Sequence, residues 1–154
     1  FERGGGGNGW ESYTAAWYFA SRHTDLDCWK RGQKGIIITL GDEPLNPYLP
    51  CTAIKRNIGD LLEVDIETPI LYKEVSEKFN VFHIGVDSRD NSYHYYADKI
   101  RKSFGEILGE NYKECNVDNL EQMITEIVLS CMGEQMEPVN QVAEVIVTDD
   151  GISW

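Results

Sequence analysis

Two short apolar runs constrain this chain more than anything else in it: IIITL, from Ile36 to Leu40, and VFHIGV, from Val81 to Val86. Neither alternates cleanly between apolar and polar residues, and both are rich in β-branched side chains, so each reads as a strand buried on both faces. Strands of that kind belong to parallel sheets, whose crossover connections are long enough to hold a helix that covers the sheet. The intervening segments carry the matching helical period. Tyr13, Ala16, Trp17 and Ala20 line one face of a helix expected over Glu11 to His23, with Arg22 and His23 at its negative end. Tyr93, Tyr96, Ala97, Ile100, Phe104, Ile107 and Leu108 repeat at the same spacing, and Gly109 follows where a left-handed cap would end the helix.

The remaining elements follow from punctuation. Pro44, Pro47 and Pro50 delay helix until about Thr52, after which Ile54, Ile58, Leu61 and Leu62 share a face. Thr68 and Pro69 form a cap and first-turn pair for a helix carrying Tyr72, Val75 and Phe79 and ending near Asn80. NYKEC, from Asn111 to Cys115, is a candidate short strand. Asp118 or Asn119 caps a last helix that carries Leu120, Met123, Ile124, Ile127, Val128 and Cys131 and stops at Gly133. The expected fold is α/β, a doubly wound, mostly parallel sheet flanked by helices, with right-handed crossovers. The strands in view are fewer than the roughly five or six of an average sheet, and the first helix has no strand ahead of it. Residues 1–133 therefore read as the C-terminal part of a domain and residues 134–154 as a tail. The open sheet edge calls for either an upstream segment or self-association with another chain.

Charge narrows the partners. The formal net charge of -12, from 26 acidic against 14 basic side chains, repels phosphate backbones and anionic lipid headgroups. Nucleic acid and membrane surfaces are excluded on that ground, and cations or basic protein surfaces are favoured. No apolar run approaches the roughly 20 residues needed to span a bilayer. The opening FERGGGG lacks the layout of a signal peptide, so a cytoplasmic protein is expected. Cys28, Cys51, Cys115 and Cys131 form no CxxC pair and read as buried thiols.

In parallel sheets ligands sit beyond the carboxyl ends of the strands, so the informative residues come just after each run. These are Gly41, Asp42 and Glu43 after the first, and Asp87, Asp90, Asn91 and Ser92 after the second. The cluster GGGGNG, Gly4 to Gly9, stands ahead of the first helix and belongs at the same rim. Carboxylates with hydroxyl or amide oxygens suit a hard cation such as Mg²⁺, held at about 2.0 to 2.1 Å with several waters retained. Turns are also rich in Asp, Asn and Gly for conformational reasons alone. Gly4, Gly6 and Gly9 satisfy GxGxxG only as any glycine run would, and no GK[ST] follows, so the case for nucleotide binding is thin. An alternative is a metal-dependent hydrolase using Asp42, Glu43, Asp87 or Asp90, for which no general base or nucleophile stands out. His83, inside a buried strand, reads as a packed core residue.

Taken in order, GGGGNGWESYTAAWYFASRHT, KGIIITLGDEP and EKFNVFHIGV resemble the C-terminal half of a von Willebrand factor A domain, of the bacterial type with a glycine-rich second loop. The resemblance spans about Gly4 to Met132. It implies a protein-interaction module rather than an enzyme, with a metal-ion-dependent adhesion site that binds a partner's carboxylate through Mg²⁺. That family's site combines a first-loop DxSxS, a second-loop Thr and a third-loop Asp. Asp42 in LGDEP matches the third-loop Asp, and Asn8 or Ser12 stands where the second-loop residue would be. A DxSxS run does not occur in this sequence.

Overall fold

The computed structural model describes residues 11–88 and 93–133. Asn8 and the glycine cluster, Asp90, Asn91, Ser92 and the tail lie outside the described residues. In chain order the elements are α1 (Tyr13–His23), β1 (Gly35–Gly41), β2 (Tyr48–Leu49), α2 (Cys51–Asn57), β3 (Ile66–Glu67), α3 (Thr68–Lys78), β4 (Phe79–Asp87), α4 (Tyr93–Leu108), β5 (Tyr112–Asn116) and α5 (Leu120–Met132). The expected α/β class holds. β1, β4 and β5 form a three-stranded sheet in the order β1-β4-β5, and both pairings are parallel.

Side-chain alternation along these strands divides the core into two layers. On one face Val81 and Phe79 meet Trp17 and Tyr13 of α1, Leu71 and Val75 of α3, and Ile100 and Phe104 of α4. On the other, Phe82 and Ile84 pack on Ile127, with Ile36, Ile38, Cys115, Leu120, Met123, Ile124 and Cys131 around them. The sheet grows in one direction from β1 to β4 to β5, so a single crossover hand puts the linking helices α2, α3 and α4 on one face. α5, after the last strand, covers the opposite face. Each fully buried Trp, Leu or Val of the larger layer contributes about 1.5–3 kcal/mol.

α1 is fixed to α3 by polar contacts as well as by packing. The Arg22 guanidinium donates to both Glu74 carboxylate oxygens at 2.8 Å, and the Ser21 hydroxyl donates to Glu74 Oε1 at 3.0 Å. Arg22 holds the Glu74 carboxyl below its ordinary range, against a smaller effect of burial. These bonds also explain a rotation of the buried face. The buried residues of α1 are Tyr13, Thr14, Trp17, Tyr18 and Ser21, whereas Ala16 is exposed. The sequence face counted apolar residues only, and the real one includes a threonine, a serine and a tyrosine whose hydroxyl donates to Asp60 at 2.6 Å.

Other expectations shift at the ends of elements. α2 stops at Asn57 because Gly59 takes φ +101°, which turns the chain out of the helix. Leu61 is consequently 78% exposed instead of sharing the helix face. Phe79 starts β4 rather than closing α3. The Asn119 side chain caps nothing. Instead Asn116 Oδ1 accepts from the Asn119 amide at 3.0 Å, capping the short 3₁₀ turn that precedes α5. The antiparallel pair β2-β3 was not foreseen, and it is anchored by the Thr68 amide donating to the Pro47 carbonyl at 3.0 Å. All four cysteines are free thiols but half-buried, not buried. No helix among the described residues is long and apolar enough to cross a membrane.

Candidate functional site

The register of the sheet brings two acidic turns side by side. Gly41 of β1 is paired with Gly85 of β4, so Asp42–Glu43 and Asp87–Ser88 leave adjacent strands at the same end. Neighbouring strands lie about 4.8 Å apart, which is close enough for both turns to border one ligand. Asp42 and Glu43 are half-buried and Asp87 is exposed.

The start of α1 reaches this rim through Tyr13. Gly41 has no side chain, and the Tyr13 phenol occupies the space a side chain would need: an added Cβ would lie 1.8 Å from the hydroxyl oxygen. The Tyr13 ring is held edge-on to His83, with centroids 4.9 Å apart, and to Phe104 at 5.5 Å. Residue 13 thus touches residue 41, and their chain neighbours Ser12 and Asp42 belong to the same corner. Ser12 is exposed at the N-cap position of α1. Its carbonyl accepts from the Ala15 and Ala16 amides at 3.1 and 3.3 Å, and its side chain makes no cap bond. Of the residues the sequence singled out, Ser12 precedes Tyr13 and Asp42 follows Gly41, the two residues in contact here, and Asn8 lies outside the described residues.

The electrostatics of the corner follow from its composition. Burial pushes the Tyr13 phenol far above its ordinary value, and the charges of Glu11 and Asp42 push it the same way, against the Glu43 backbone amide. A neutral hydroxyl flanked by carboxylates is an oxygen-rich, electronegative setting, favourable to a cation and unfavourable to phosphate. Sequence reasoning used Tyr13 only as a helix-face residue and missed its place at the rim. The usable signal was Gly41, a glycine at the end of a β-branched strand, which often marks a close approach by another group.

Further along the rim, Gly85 plays the same part for Tyr93 and Tyr112. A Cβ there would meet Tyr93 Cε2 at 2.7 Å and the Tyr112 hydroxyl at 2.8 Å. The two hydroxyls are 3.2 Å apart, Tyr112 donates to Glu114 at 2.7 Å, and Arg101 donates to both Glu114 oxygens at 2.7 and 3.1 Å. This network neutralises Glu114 internally and leaves it unsuited to a ligand. Below the rim, His83 is fully buried, stacked on Phe104 at 3.5 Å with its Nδ1 2.9 Å from the Thr39 hydroxyl. Burial lowers its pKa to about 3, so it is a neutral core residue, as the sequence suggested.

The fit of these residues to Mg²⁺ is partial. Asp42 and Ser12 offer hard oxygen donors, and Mg²⁺ needs only one or two carboxylates besides water. Among the described residues no group of three or more His, Cys, Asp or Glu is placed to hold a metal ion. The chain matches no family model, no curated protein and no solved structure.

Proposed function

We propose that the chain carries part of a von Willebrand factor A-like protein-interaction module, in which a divalent cation at the Asp42 rim is completed by a carboxylate from a partner protein. The observation that supports this reading best is the seating of Tyr13 over Gly41, which brings the start of α1 against the turn that holds Asp42. Asp42 then acts as the third-loop ligand, with Ser12 or Asn8 in the second-loop role, and the first-loop donors come from outside the described residues. The α1 N-terminus lies next to Tyr13 at the same corner, where the positive end of the helix dipole favours an anionic partner group. Desolvating the cation and the partner carboxylate together supplies specificity, and the acidic surface selects a partner with basic flanks.

The test is thermal stability of the full-length polypeptide. Mg²⁺ is expected to raise the melting temperature by several degrees, as ligand linkage requires, and Asp42→Ala is expected to abolish that rise while melting normally in EDTA. Identical melting with and without Mg²⁺ in both proteins would sink the proposal. Turnover of phosphoesters with Mg²⁺ or Mn²⁺ would move the assignment to a metal-dependent hydrolase, since an adhesion module has no turnover.

A further inference from the structure

Among the described residues the exposed large apolar side chains are densest from β2 to the first turn of α3. Leu61, Val64 and Ile70 are 78, 72 and 61% exposed, and Tyr48 is 47% exposed. Tyr48 stands opposite Glu67 in the β2-β3 pair, so these two share the outer face of the ribbon while Leu49 and Ile66 take the inner one. The loop from α2 to β3 is pinned on both sides of Leu61 and Val64. Ahead of them the Asp60 carboxylate accepts from the Tyr18 hydroxyl at 2.6 Å and lies 2.7 Å from His23 Nε2. Behind them Asp65 Oδ1 accepts from the Cys51 amide at 2.9 Å. Between the two pins Leu62 packs on the core, and Leu61 and Val64 stay in solvent. Apolar groups held out in this way and rimmed by charge mark an interaction site, and their fixed backbone lowers the entropy lost on docking.

We propose that this surface docks a basic amphipathic segment of another protein. Its apolar side chains cover Leu61, Val64, Ile70 and Tyr48, and its Lys or Arg residues pair with Glu63 and Glu67. The charges select that occupant. From Asn57 to Tyr72 the sequence holds Asp60, Glu63, Asp65 and Glu67 and no Lys, Arg or His. Asp60 and Asp65 are engaged in the pins, whereas Glu63 and Glu67 are exposed and, among the described residues, make no hydrogen bond or ion pair. A second copy docked on the same surface sets these acids against their own equivalents. Residues 134–154 contain Asp and Glu but no Lys or Arg, and residues 1–10 contain one Arg and one Glu, so neither segment supplies the matching charge. The docking surface shares no residue with the proposed cation site.

The experiment is fluorescence anisotropy of a labelled synthetic peptide titrated with the chain, in EDTA so that the outcome is independent of any cation at Asp42. The peptide is a helix of about 18 residues with Leu on one face and Lys on the other. A permuted peptide of the same composition, without the two faces, is its comparison. The amphipathic peptide is expected to bind at least about tenfold more tightly than the permuted one, and to weaken with added salt. Leu61→Ser with Val64→Ser is expected to weaken binding about tenfold and to keep its salt dependence. Glu63→Lys with Glu67→Lys is expected to weaken it about tenfold and to flatten the salt dependence. Glu106→Lys with Glu110→Lys makes the same change of net charge at the end of α4 and just beyond it, and is expected to leave binding within about threefold. All of these side chains are exposed, so each variant is expected to melt as the parent does, which circular dichroism checks. Equal binding of the two peptides, or binding of neither, overturns the proposal, as it would if a segment of the same polypeptide occupied the surface. So does an equal loss from the Glu106 and Glu110 reversal, which reduces the effect to net charge. Self-association of the chain that the Leu61 and Val64 substitutions abolish gives the surface to a second copy and overturns it too.

Discussion

Lowering the pH from 7 to 4 is expected to remove about 3 kcal/mol of folding stability through His83 alone. The histidine is fully buried between Tyr13, Thr39, Phe104 and Tyr112, and among the described residues no charged side chain touches its ring. Among the described residues its Nε2 has no hydrogen-bond partner. A proton there would leave an imidazolium buried in an aromatic layer, which is why its pKa falls from the ordinary 6.5 to about 3. Below pH 6.5 the unfolded chain binds this proton and the folded chain does not. Stability is therefore complete above about pH 6.5, declines by about 1.4 kcal/mol per pH unit, and stops declining near pH 3, after a total loss of about 5 kcal/mol.

Carboxylates add their own acid sensitivity at lower pH. Arg22 keeps Glu74 ionised, and at Glu114 burial is outweighed by hydrogen bonds from Arg101, Tyr93 and Tyr112. A comparison with His83→Leu isolates the histidine. That variant loses the Thr39 bond and some ring stacking, so it is less stable at pH 7, but its denaturant-derived stability is expected to stay nearly flat between pH 6.5 and 4.5. Parallel profiles for parent and variant would mean that His83 titrates without penalty, in conflict with its placement.

The parts of this molecule legible in the sequence are those whose signal is local. IIITL and VFHIGV are strands because five or six β-branched or apolar residues in a row can be satisfied only by burial on both faces, and the sheet provides it for Phe82 to Ile84. The period from Tyr93 to Leu108 identified α4, and Gly133, at φ +71°, caps α5 as expected. What stayed hidden depends on contacts distant in sequence. The β2-β3 pair joins two-residue strands 17 positions apart, from Leu49 to Ile66, too short for any period to register. The buried face of α1 could not be phased, because Ser21 and Tyr18 are admitted to the interior by partners at Glu74 and Asp60, which lie outside any local window. Asp42 was legible as the acid after a parallel strand. That a tyrosine 28 positions before Gly41 lies over that glycine was not, since only the packing of α1 on the sheet brings the two together.

That contact gives the other large effect. Gly41→Ala is expected to destabilise the protein by about 2–3 kcal/mol, although alanine is a better strand residue than glycine and the local backbone does not require glycine's freedom. The added methyl would stand 1.8 Å from the Tyr13 hydroxyl oxygen, 2.7 Å from Cζ and 2.9 Å from Cε1. The ring cannot swing aside, since His83 and Phe104 hold it edge-on from the core side. The remaining way out is to lift the first turn of α1 from the end of β1. Tyr13→Phe deletes the atom at 1.8 Å and leaves the next contact at 2.7 Å, so in the double variant at least about 1 kcal/mol of the loss is expected to return. Urea titrations of the four proteins measure that coupling, and strictly additive effects would show that Tyr13 does not lie over Gly41. The same displacement carries Ser12 away from Asp42. In the full-length polypeptide Gly41→Ala should therefore weaken the response to Mg²⁺ without touching any proposed ligand, and Tyr13→Phe in the same chain should recover part of it. This links the packing of one phenol to the geometry of the proposed cation site.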